Sequence, residues 1–150
     1  MGKNNAIYGV NLIPLNQIPD EKGKVMHMLR NCPQYLSSIR EVYFSLTYPK
    51  KVKAWKQHKK MTQRLTVPVG QMKIVLYDDR KDSPTYQFLS EIILGEDNYQ
   101  LLILPPLIWY GFECISEQSG LIVNCSDLEH DPDEVNRLPI EQNLIPYQWT

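Results

Sequence analysis

The chain has 150 residues and a formal net charge of −1, enough for one domain with a proper core, and no Gly/Ser linker or shift in composition marks a second. A near-neutral balance excludes a global field that would draw the molecule to nucleic acid or to an anionic membrane, and no run approaches the roughly eighteen apolar residues of a membrane span. The opening MGKNNAIYGVNLIPL lacks the apolar core of a signal peptide, and Cys32, Cys114 and Cys125 form no C-x-x-C pair, so a cytoplasmic protein with reduced thiols is expected rather than a disulfide frame or a zinc site.

Nine Tyr, three Trp and scattered prolines, with no long helical periodicity, favour an all-β sandwich or barrel. Residues 6–18 alternate as a strand interrupted at Pro14, and 20–23 (DEKG) form a turn. Residues 24–30 alternate as a half-buried strand, and 31–38 suit one short helical turn. The run REVYFSLTY, 40–48, is rich in β-branched and aromatic residues and closes at Pro49; residues 52–57 form another strand. In LTVPV and MKIVLY, 65–69 and 72–77, two apolar runs flank Gly70 and Gln71, a pattern that predicts a hairpin. Strands follow over 86–94, 99–104, 108–115 and 120–126, the second of these ending at Pro105-Pro106, since proline cannot donate to a ladder. Such spacing predicts a jelly roll or conical barrel. The tail from Glu129 is expected to wrap the surface, with Asp131-Pro132-Asp133-Glu134 opening a single helical turn.

Several segments, in shared order and spacing, resemble the dTDP-4-dehydrorhamnose 3,5-epimerases, a branch of the cupin superfamily. They are IPDEKGKVMHMLR, VKAWKQHKK, GQMKIVLYDDRKDSPTY, LGEDNYQLLILPPLIWYGFECIS, DPDEVNRLP and IPYQW. The resemblance implies a cupin-type jelly roll, a homodimer, and a pocket for a nucleotide-diphospho-4-keto-6-deoxy sugar. The family's reaction removes a proton α to the C4 ketone, passes through an enolate and returns a proton to the opposite face. It needs no cofactor, but it does need a base, an acid, and cations near the enolate oxygen and the diphosphate.

On this resemblance the family's basic histidine falls at Lys56, its acidic tyrosine approximately at Val123, and an assisting lysine at Gln63. Lys22 and Lys53 stand where the family carries arginines and keep the positive charge suited to a diphosphate. The cupin metal motifs correspond to Lys56, His58, Gln63 and Tyr110, of which only His58 is a good donor to a divalent ion, so no metal is expected. The candidate catalytic residues are therefore His58, Tyr110 and Lys56, and the candidate substrate-binding residues Lys22, Lys53, Gln63 and Trp109. Strand alternation places Lys56 and His58 on one face, and the concave end of the barrel is expected to gather Lys53, His58, Gln63 and Tyr110. Trp55 is assigned to the core, Trp109 to the pocket edge and His130 to the surface. Two functional classes stay open: an epimerase with a rearranged acid–base pair, and a relative that binds a sugar nucleotide or a partner enzyme without catalysis. A metal-dependent cupin isomerase or dioxygenase is a third.

Overall fold

Alternation of apolar and polar side chains dictates strands along most of the chain, and the computed structural model describes residues 6–30 and 38–150. The strands are β1 Asn11–Pro14, β2 Gln17–Asp20, β3 Gly23–Met26, β4 Glu41–Thr47, β5 Val52–His58, β6 Gln63–Val69, β7 Gln71–Asp78, β8 Leu89–Gly95, β9 Gln100–Leu104, β10 Ile108–Cys114, β11 Gly120–Ser126 and β12 Val135–Arg137. The turn expected at 31–38 lies almost wholly outside the described residues, as does Cys32. Among the described residues the single helical segment is a 3₁₀ turn, Pro132–Glu134, capped by Asp131, whose side chain accepts from the Asp133 amide, with Pro132 at the first position as the sequence indicates. Among the described residues no helix is long and apolar enough to cross a membrane.

Two five-stranded antiparallel sheets face each other, in the orders β1-β9-β6-β11-β4 and β12-β5-β10-β7-β8, with β2 and β3 apart as a hairpin. This is the expected all-β jelly roll of cupin type. Leu65, Val67, Met72, Ile74, Leu76, Leu94, Leu102, Leu104 and Ile108 fill the space between the sheets. The two proline-bearing strands obey the rule that proline cannot donate to a ladder. Pro14 ends β1, an edge strand, and Pro68 falls where β6 bulges against β11, between the Thr66–Val123 and Val69–Leu121 pairs.

The hairpin expected around Gly70 is absent. β6 pairs with β9 and β11, whereas β7 pairs with β8 and β10, so Gly70 is a corner at which the chain crosses from one sheet to the other. Its φ of 74° suits glycine, and a Cβ there would lie 2.8 Å from both Gly120 Cα and the Ser119 carbonyl oxygen. Two apolar runs around a glycine report strand, turn and strand, but not which sheet each strand joins.

Two more expectations need correction. β8 begins at Leu89 rather than at 86, because the preceding loop is tied to Asp78, whose backbone oxygen accepts from the Gln87 amide at 2.7 Å. The tail, too, does more than wrap the surface. It adds β12 to the edge of β5, and then Ile145, Tyr147 and Trp149 cover the outer face of that sheet by packing on Trp55, Val75, Tyr77 and Trp109. Gly111 makes this cover possible, since a Cβ on it would meet Trp149 at 2.8 Å and Ala54 at 2.6 Å. The outer face of the other sheet has no such cover among the described residues: Val42, Phe44 and Leu46 alternate along β4 with 53, 68 and 51% of their surface exposed.

Candidate functional site

The site is built at one end of the barrel by a bulge in β5. Tyr110 of β10 pairs with Lys56 and Phe112 with Lys53, so three residues of β5 span two of β10. The extra residue turns Lys53 to the same side as Lys56, which strict alternation would forbid. His58, two residues further on, keeps that side by ordinary alternation. Lys53 Nζ then crosses to the other sheet and donates to Ser45 Oγ at 3.0 Å and to the Leu46 carbonyl at 2.7 Å.

Two small cavities open here, of about 40 and 100 Å³. The first is lined by His58, His130 and Arg137, the second by Lys53, Gln63 and Asn124, and Tyr43, Lys56 and Tyr110 line both. These three side chains are therefore the partition between the cavities.

His58 is buried at the centre of a relay. Its Nδ1 is paired with Glu134 Oε1, and its Nε2 lies 3.2 Å from the Tyr110 hydroxyl. Glu134 is held in turn by the loop after β5, since its Oε2 accepts from the Lys60 amide at 2.9 Å and the Met61 amide at 3.2 Å. Burial works to raise the Glu134 carboxyl, but the His58 hydrogen bond and these amides outweigh it and hold the group below its ordinary value. With a carboxylate on Nδ1, the neutral imidazole carries its proton there and leaves Nε2 to accept from Tyr110. Burial pushes the Tyr110 phenol far above its ordinary value, and the nearby Tyr43 adds to that, so Tyr110 remains a proton-bearing donor.

Lys56 has neither a hydrogen bond nor an ion pair among the described residues. Burial lowers its affinity for a proton, and the charges of Arg137 and Lys53 lower it further. An amine in that condition is a better base near neutrality than an exposed lysine. On the opposite sheet, Asn124 fixes the second wall. Its Oδ1 accepts from the Arg64 amide, which orients Nδ2 to donate to the Tyr43 hydroxyl at 2.8 Å and to Gln63 Oε1 at 3.0 Å.

The structure thus brings together Lys53, Lys56, His58, Gln63 and Tyr110. It does not bring Trp109 or Lys22 to them. In β10 the inward positions are Ile108 and Tyr110, so Trp109 turns outward into the cluster beneath the tail, with Trp55. This corrects its assignment to the pocket edge. Lys22 lies exposed in the turn of the β2–β3 hairpin, where its amide caps Asp20. Val123, at the approximate position of the family's acid, pairs with exposed Phe44 rather than facing the cavity, and the inward neighbours on those strands are Asn124 and Tyr43. Tyr43, Asn124, Glu134 and Arg137 escaped the sequence reading, and His130, assigned to the surface, is exposed at the cavity rim. The alternation of REVYFSLTY could have found Tyr43, because it makes residues 42, 44 and 46 one face and 43 and 45 the other. Among the described residues no three His, Cys, Asp or Glu side chains gather to hold a metal ion.

Residues 4–150 match the family model for dTDP-4-dehydrorhamnose 3,5-epimerase. The chain is 34% identical to the probable low-salt glycan biosynthesis epimerase Agl13 of Haloferax volcanii, over 95% of this chain and 94% of that protein. It is 28% identical to the spore coat polysaccharide biosynthesis protein SpsL of Bacillus subtilis, over 95% of this chain and 96% of that one. A crystal structure of a dTDP sugar isomerase from Desulfovibrio desulfuricans superposes with a TM-score of 0.91 at 45% identity, covering 95% of this chain and 92% of that one.

Proposed function

Since the chain belongs to the dTDP-4-dehydrorhamnose 3,5-epimerase family, we propose that it is a cytoplasmic epimerase of a nucleotide-diphospho-4-keto-6-deoxy sugar, serving the synthesis of a glycan or surface polysaccharide. The observation that carries this reading is the pairing of an unpartnered, half-buried lysine with a Glu134–His58–Tyr110 relay on the walls of one pocket. Lys56 in its neutral form takes the proton α to the ketone, and the electron pair of the broken C–H bond moves into an enolate. The Tyr110 hydroxyl swings its single hydrogen from His58 Nε2 to the developing C4 oxygen, and the His58–Glu134 pair keeps that phenol positioned beside it. The ammonium formed on Lys56, together with Lys53 and Arg137, supplies positive charge to the enolate and the diphosphate. Gln63 completes the polar wall.

The test is proton exchange. In deuterated water with a nucleotide-linked 4-keto-6-deoxyhexose, the protein should wash in deuterium at C3, C5 or both, read by NMR. His58→Ala and Tyr110→Phe should each slow this by roughly 100- to 1,000-fold, the usual worth of a positioned donor to a developing oxyanion. Binding of the nucleotide sugar with no exchange at all would instead favour the non-catalytic binder, for which the lysine at the family's histidine position argues.

A homodimer is part of the same proposal. The bare apolar stripe Val42, Phe44 and Leu46 on an edge strand, and the exposed cross-strand pair Ile18–Val25 of the isolated hairpin, are surfaces suited to a second copy. That arrangement would let the hairpin carry Lys22 towards a neighbour's pocket. Sedimentation at micromolar concentration should give twice the monomer mass, and a stable monomer would exclude it.

A further inference from the structure

Inversion at carbon needs proton-transfer groups on two sides of the substrate, yet Lys56, His58 and Tyr110 all project from one sheet, from β5 and β10. The opposing wall is supplied by Tyr43 of β4, Gln63 of β6 and Asn124 of β11. Gln63 and Asn124 are amides and do not titrate, so Tyr43 is the one of these three that can release a proton. Glu41 and His130 also border the first cavity, but only at its rim, where Glu41 Oε2 accepts from the His130 backbone amide at 2.8 Å, and neither reaches the second cavity, which Tyr43 lines as well.

We propose that Tyr43 is the second proton-transfer residue of this site, giving a proton to the face of the sugar turned away from Lys56. The proposal rests on the epimerase reading above. It stands on placement and on hydrogen bonding. Tyr43 lines both cavities, opposite Lys56, from the other sheet. Its hydroxyl oxygen accepts from Asn124 Nδ2, and the hydroxyl hydrogen meets no acceptor among the described residues, so it is available to a ligand between the sheets. Asn124 cannot turn its amide around without losing the Arg64 amide from its Oδ1, which makes the bond to Tyr43 a fixed support rather than one of two options. Burial raises the phenol above its ordinary value, Asn124 pulls it back, and the charge of Glu41 adds to the rise, so Tyr43 enters the reaction protonated.

The step balances. Lys56 has taken the α proton and become an ammonium, and the enolate holds the electron pair. As the C4 carbonyl re-forms, that pair takes the Tyr43 proton on the opposite face and leaves a phenolate. The ammonium then loses its proton to water and the phenolate regains one, which restores both groups without any co-reactant.

Tyr43→Phe separates deprotonation from inversion. In wild type, deuterium uptake and formation of the inverted sugar proceed together. In the variant, Lys56 still removes the proton and returns a solvent deuteron to the same face, so exchange should stay within about tenfold of wild type while inversion falls roughly 100-fold or more. Tyr48→Phe, an exposed tyrosine on the same segment, serves as a control and should leave both rates unchanged. Melting temperature establishes that Tyr43→Phe is folded. Inversion at the wild-type rate would overturn the proposal. So would parallel loss of exchange and inversion in a folded variant, which would make Tyr43 a binding residue. Failure of the epimerase reading is separately visible, as a wild-type protein that shows neither exchange nor inversion.

Discussion

Asp78 and Lys56 are both drawn out of water beside the same strand, opposite Ile108 and Tyr110 of β10, and their neighbours treat them in opposite ways. Asp78 is completely buried and fully partnered: one oxygen takes the Arg80 amide and Nε, and the other takes Arg80 Nη2, Ser83 Oγ and Thr85 Oγ1 at 2.6–2.8 Å. Burial would raise its carboxyl, but the bonds from Arg80, Thr85 and Ser83 prevail and bring its pKa down to about 2. Lys56 receives no compensating bond, and burial and two nearby cations lower its pKa as well. The same direction of shift therefore has contrary meanings. For an acid it records a charge that the fold has stabilised, and for an amine a charge that the fold has left for a ligand to complete.

The sharpest way to break the comparison is Lys56→Met. If the unsatisfied amine is the base, exchange into the 4-keto sugar falls roughly 100- to 10,000-fold in the deuterium experiment; unchanged exchange would reduce Lys56 to a bystander. Next in size is Asp78→Asn, which leaves Arg80 facing a neutral group in a buried site and should cost about 3 kcal/mol in urea unfolding. Its exchange rate per folded molecule should match wild type, because Asp78 touches neither cavity. A large activity loss in folded Asp78→Asn would erase the distinction.

A third measurement follows the acid limb. Asp78 has a lower pKa folded than its ordinary 3.8, so its contribution is present above about pH 4 and fades as the pH falls through about 2, amounting to roughly 2 kcal/mol. Asp78→Asn should lack that step, and identical acid-unfolding curves would contradict the network. The smallest effect concerns the stability of Lys56→Met. A lysine whose folded pKa is depressed destabilises the native state at neutral pH, and this cost lifts only as the pH rises through the lowered value towards 10.5. The variant should therefore be slightly more stable than wild type at pH 7, with the gain shrinking in alkali.

How far such features can be read from sequence depends on how local their causes are. The strands at Glu41–Thr47, Val52–His58 and Gly120–Ser126 lie within a residue or two of where alternation puts them, because a half-buried strand writes its own period into the chain. The corner at Gly70 was misread since sheet partnership is decided by distant strands. β12 left no trace, because three residues, Val-Asn-Arg, carry no periodicity and pair only through β5. In the site, Lys56, His58, Gln63 and Tyr110 could be found through motif positions. Glu134 was recognised as part of a turn, but its aim at His58, 76 residues away, is a product of the folded chain alone. Trp109 was misplaced because its face depends on the register of β10, and Tyr43 was passed over although its face was legible.

The strand order also sets a timetable for biosynthesis. β4 waits for β11, and β5 waits for β10 and then β12, so no part of the pocket can be completed by the first half of the chain. At the roughly 5–20 residues per second of translation, the 76 residues between His58 and Glu134 keep the imidazole without its carboxylate for about 4–15 s. During that interval the valine- and leucine-rich edges of β4 to β7 lack most of their partners, the condition in which non-local β proteins fold slowly and aggregate. Synthesis of β12, more than any single contact, is therefore the event that closes this pocket, and a nascent polypeptide halted before Val135 should be a client for chaperones rather than a slower enzyme.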